Sequence, residues 1–65
     1  MLMPEVEFVR VELQRATRPL TVQQIANAIG GATKLAVEAA LDTLRRRDEV
    51  EKLDNGTYQI KRGAK

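Results

Sequence analysis

A chain of 65 residues has material for one domain and one small core, because at this size only about 60% of the unfolded surface is buried on folding. It contains neither cysteine nor histidine, which excludes a disulfide framework, thiolate and imidazole metal sites and the commonest general base, and with them most small metallo-domains and catalytic constellations. The formal charge of +2 is too small to mark a nucleic-acid binder until the placement of the charges is known.

No apolar run is long enough to cross a bilayer, and Glu5 and Glu7 interrupt the segment where a signal peptide would be apolar. The mature protein is therefore expected to be the whole chain, and a reducing cytoplasm fits the lack of cysteine. No internal repeat or low-complexity stretch breaks it. Residues 1–62 read as one domain and 63–65 as a flexible basic tail.

Pro4 suits the first turn of a helix, and Val6, Val9, Leu13 and Ala16 then recur at helical spacing, with Glu5 and Glu7 near the positive end of the dipole. This first helix is expected to end near Ala16 or Thr17. Thr17-Arg18-Pro19-Leu20 is extended, since the residue before a proline avoids the α region, and a short strand over 19–21 lets Leu20 plug the core. Thr21 followed by Gln24 forms a capping box, after which Val22, Ile25, Ala26 and Ile29 make one apolar stripe. Gly30-Gly31 ends that second helix. The third helix begins between Ala32 and Lys34, carries Val37, Ala40, Leu41 and Leu44 on one face, and closes on Arg45-Arg46-Arg47. Beyond Asp48 the pattern becomes a hairpin, Val50 to Leu53 and Thr57 to Ile60. Asn55-Gly56 permits either a two-residue type I′ turn or a three-residue loop with Gly56 in a bulge, and the two give different registers.

This order of helix, short strand, helix, turn, helix and hairpin resembles the winged helix-turn-helix superfamily of bacterial, archaeal and phage DNA-binding proteins. The resemblance spans nearly the whole chain and is carried by Pro19-Leu20-Thr21, Ile25-Ala26, Ile29-Gly30, Val37, Leu41, Leu44, Val50 and Asn55-Gly56. It implies an α+β, mainly α fold: three helices plus a C-terminal two-stranded wing. These are core and turn positions, which specify a fold better than a function. Gly30-Gly31 adds a residue to the usual inter-helix turn, and Asp48 stands where the family often has glycine before the wing. The wing prolines and tryptophan of the Z-form nucleic-acid binders have no counterpart here, which sets that subclass aside.

The outward face of the third helix is Lys34, Leu35, Glu38, Ala39, Asp42 and Arg45. The resemblance implies that its N-terminal part enters the major groove, with Thr33, Lys34 and Leu35 as readers, Glu38 accepting from a cytosine amine, and Leu35 or Ala39 against a thymine methyl. Glu38 and Asp42 bring negative charge towards the phosphates. At Thr21, Val22 and Gln23 the second helix offers backbone donors to an anion, or is simply capped. Arg45, Arg46 and Arg47 either grip a backbone or stabilise their own helix end by roughly 0.3–1 kcal/mol. Lys52, Lys61, Arg62 and Lys65 extend a basic strip along the wing, and no acidic residue follows Asp54, which favours a binding role for Lys61 and Arg62. The wing tip, Asp54-Asn55, carries no cation for a minor groove. Tyr58 is expected in the core against helix 3. Phe8 and Val11 lie off the main stripe of the first helix, where they widen the core or form a homodimer seam.

The expected function is that of a small double-stranded DNA-binding protein, a transcriptional or replication-associated regulator, with Thr21, Gln23, Thr33, Lys34, Leu35, Glu38, Arg45, Arg46, Lys52, Lys61 and Arg62 as contacts. The rival is a protein-interaction winged helix that uses the apolar and acidic face of the third helix. No enzyme activity, catalytic residue, cofactor or metal is expected, because nothing pairs the carboxylates in a pocket.

Overall fold

A computed structural model of the chain describes residues 5–61; Pro4, Arg62 and the tail 63–65 lie outside the described residues. Three helices, α1 (Glu5–Arg15), α2 (Val22–Ile29) and α3 (Lys34–Arg46), precede strands β1 (Val50–Lys52) and β2 (Tyr58–Ile60). The layout is helix-turn-helix plus wing.

α1 ends at Arg15, slightly before the expected Ala16 or Thr17, although the Ala16 N–H still donates to the Glu12 carbonyl at 3.0 Å. The chain then runs to Leu20, which exchanges both backbone hydrogen bonds with Tyr58 (2.9 and 2.7 Å). The expected short strand over 19–21 is thus a single bridged residue, enough to add a third short row beside β2.

α2 starts on the expected capping box: Thr21 Oγ1 accepts from the Gln24 N–H (3.1 Å), and Gln24 Oε1 accepts from the Thr21 N–H (2.8 Å). It stops at Gly30, whose φ of 76° lies in the region that glycine tolerates and β-carbon residues resist; Gly31 follows with φ 85°. Two successive positive-φ residues reverse the chain sharply and aim it into the cap of α3.

α3 leaves through a Schellman turn in which the Asp48 N–H donates to the Arg45 carbonyl (3.0 Å) and the Glu49 N–H to the Leu44 carbonyl (2.9 Å). Such a turn needs a left-handed residue, and Asp48 supplies it with φ 64°. The aspartate at a glycine-favouring position is therefore accommodated by adopting the glycine conformation.

In the hairpin Val50 faces Ile60, Glu51 faces Gln59 and Lys52 faces Tyr58. The Leu53 N–H donates to the Thr57 carbonyl (2.8 Å) and the Gly56 N–H to the Leu53 carbonyl (3.0 Å). The loop is therefore three residues, Asp54 to Gly56, and the left-handed Gly56 (φ 85°) closes it as a bulge. Asn55 keeps a negative φ, which rules out type I′, and its Oδ1 accepts from the Thr57 N–H and hydroxyl instead.

One core joins every element: Val9, Leu13, Ile25, Ala26, Val37, Ala40, Leu41, Leu44, Val50 and Tyr58 are buried, with Val6, Leu20, Val22, Ile29 and Ile60 packed against them. β1 lies against α3 and β2 against α1, and Tyr58 is buried in the core as expected. No helix of the described residues is long and apolar enough to cross a membrane.

Candidate nucleic-acid interface

α3 takes its orientation from the four aliphatic side chains it buries, Val37, Ala40, Leu41 and Leu44. At about 100° per residue, the strip opposite them runs Leu35, Ala39, Asp42 and Arg46, with Lys34, Glu38 and Arg45 along one flank. All seven side chains are exposed. Leu35, 77% exposed, is the largest apolar group in the strip. Thr33 acts as the N-cap, its Oγ1 accepting from the Ala36 N–H at 3.1 Å, which leaves the hydroxyl hydrogen and one lone pair uncommitted.

Two of the expected cationic contacts pair with carboxylates of the chain. Arg46 pairs with Asp42 at 3.0 Å, one turn back along the helix. Lys61 donates to Asp48 Oδ1 at 2.6 Å, and that hydrogen bond, with the attraction of the carboxylate, raises the lysine above its usual 10.5. Lys34, Arg45 and Lys52 have no carboxylate partner among the described residues; Lys52 Nζ sits 5.9 Å from the Tyr58 ring centroid, a weak cation–π placement that leaves the charge outward. Arg47, the C-cap of α3, is likewise unpaired and exposed.

At the N-terminus of α2 the capping box takes up the Thr21 hydroxyl and two N–H groups, while the Val22 and Gln23 N–H groups keep no partner among the described residues. The Gln23 side chain donates one of its two N–H groups to Asn27 Oδ1 at 3.1 Å, which leaves the second donor and the carbonyl oxygen uncommitted. Arg62 falls outside the described residues. Thr21 and Gln23 thus lie at the start of α2, Thr33, Lys34, Leu35 and Glu38 at the start of α3, and Arg45 and Arg46 near the other end of α3.

Sequence reasoning missed both ion pairs. Asp42–Arg46 has the spacing that places side chains together on a helix, whereas Asp48 and Lys61, thirteen positions apart, meet only because the hairpin returns β2 to the end of α3. No group of three or more acidic, histidine or cysteine residues is placed to hold a metal ion among the described residues. Comparison of the chain with family models, with curated proteins and with solved structures found no match.

Proposed function

We propose that this chain is a member of the winged helix-turn-helix superfamily that binds double-stranded DNA, as a small cytoplasmic regulator of transcription or replication. The observation that carries the reading is the one-sided burial of α3: its aliphatic face is consumed by the core and the opposite strip is open along the whole helix. In this reading the strip lies in the major groove, the Val22 and Gln23 N–H groups meet a phosphate at the positive end of α2, and Lys34, Arg45 and Lys52 supply the free cations. Leu35 and Ala39 are placed for thymine methyls and Glu38 for a cytosine amine.

Charge release tests it. With three free cations on phosphates, a plot of log K against log salt for a short random duplex is expected to slope by about −3. Lys52→Gln is expected to make that slope shallower by about one unit. Lys61→Gln is expected to change it less, because Lys61 must first give up Asp48. Absence of binding at low salt, or a slope near zero, contradicts the reading.

A second reading has its own support in Leu35, whose 77% exposure beside Ala39 makes an apolar centre between charged flanks. Such a centre suits a protein partner as well as a groove. If the partner is a protein, Leu35→Asp abolishes its capture while Lys34→Gln and Lys52→Gln leave it intact. A homodimer through Phe8, 38% exposed, and Val11 would present two copies of α3 to two half-sites, and sedimentation of Phe8→Glu against the parent chain checks it.

A further inference from the structure

A groove of about 670 Å³ lies between the end of α1, the connector 16–19 and the outward side of the hairpin. No residue of α2 or α3 lines it, so it is separate from the strip assigned to DNA. Its walls carry Arg15, Arg18, Gln14 and Thr17 on one side and Glu51 and Gln59 on the other, over an apolar floor of Leu13 and Ile60.

The chemistry of the walls is selective. Arg15 and Arg18 have no carboxylate partner among the described residues, whereas Arg10, Arg46 and Lys61 all have one. The Thr17 and Arg18 N–H groups have no hydrogen-bond partner among the described residues either, because Pro19 and the chain reversal keep them out of α1 and out of the sheet. Two planar guanidinium forks beside two free backbone donors suit carboxylates. Glu51 on the opposite wall, held by the Gln59 amide, repels any anion, so a ligand must keep its negative charge on the arginine wall, which two spaced carboxylates do more readily than a backbone charged at every unit. The volume exceeds what one anion fills and lies within the roughly 300–1,000 Å³ of sites for extended organic ligands.

We propose that this groove docks an acidic peptide segment of a partner protein, with two spaced carboxylates on Arg15 and Arg18 and an apolar side chain between them on the half-buried Ile60, above the buried Leu13. The peptide and duplex DNA then bind at the same time, on different faces.

The probe is a capped pentapeptide, glycine-aspartate-leucine-aspartate-glycine, titrated into the full chain while amide shifts are followed. Saturable changes at Gln14 to Arg18, Glu51 and Gln59 are expected, with binding about tenfold weaker in Arg18→Glu. Prior addition of a short duplex is expected to leave the peptide affinity unchanged. Should Arg18→Glu lose its native amide spectrum, Arg18→Gln takes its place, with a smaller loss expected. The proposal is overturned if the peptide moves no groove amide, if a version with lysine for aspartate binds equally well, if the charge variant binds as the parent does, or if the duplex occupies the groove and displaces the peptide.

Discussion

Asp48 concentrates the conflict between sequence and geometry in one residue. Its φ of 64° costs a β-carbon residue roughly 1–2 kcal/mol relative to glycine, although a short polar side chain tolerates it best. Replacing it with glycine removes that strain but frees the unfolded chain, a loss of roughly 0.4–1 kcal/mol. Both Asp48→Gly and Asp48→Ala lose the partner of Lys61; glycine, which removes the strain, is expected to stay close to the parent, and alanine, which keeps it, to destabilise. The order of urea midpoints checks this, and alanine equal to or above aspartate contradicts it. Asp48→Asn isolates the charge, since asparagine accepts the same backbone. Because Lys61 is raised above 10.5 by Asp48, the pair contributes stability that is fully present below the unfolded pKa and lost as pH rises through the folded one. The parent's advantage over Asp48→Asn is accordingly expected at neutral pH and gone well above 10.5; a gap that does not change with pH contradicts it.

For the elements, the apolar stripes were legible because each helix buries the side chains that recur at its own period: Val9 and Leu13, Ile25 and Ala26, and Val37 through Leu44. The capping box was legible for a similar reason, being a local bond between residues three apart. α2 has only eight residues, too few to persist without its neighbours, so its cap matters. Thr21→Ala is expected to cost about 1 kcal/mol, read from the urea midpoint, with the amides of α2 exchanging faster than those of α3. An unchanged midpoint contradicts that role. The hairpin register was not legible, since a type I′ turn and a three-residue loop both place Gly56 at positive φ. What decides between them is the pairing of Leu53 with Thr57, which depends on β2 being held by Leu20 and α1. Nor could the sequence reveal that Lys61 returns to Asp48.

Across the whole molecule, α3 divides into a face that holds the domain together and a face that does not. Leu44, fully buried, is expected to cost about 2–5 kcal/mol when cut to alanine, enough to unfold much of so small a domain at room temperature. Leu35→Ala is expected to stay within about 0.5 kcal/mol of the parent, since that side chain is 77% exposed. Equal losses at the two positions contradict the division. The exposed strip was anticipated in outline, because the buried stripe fixes its opposite, but its electrostatics were not. With Arg46 and Lys61 tied to carboxylates, the free positive charge shifts towards Lys34, Arg45, Arg47 and Lys52.

The most direct measurement is an amide-shift map of the chain with a short duplex at low salt. Changes concentrated at Val22 and Gln23, along Thr33 to Glu38 and at Lys52, with the groove beside Arg15 and Arg18 silent, are the expected result. A map in which α3 stays silent while the duplex binds elsewhere, or in which nothing moves at all, contradicts the assignment of that strip to DNA.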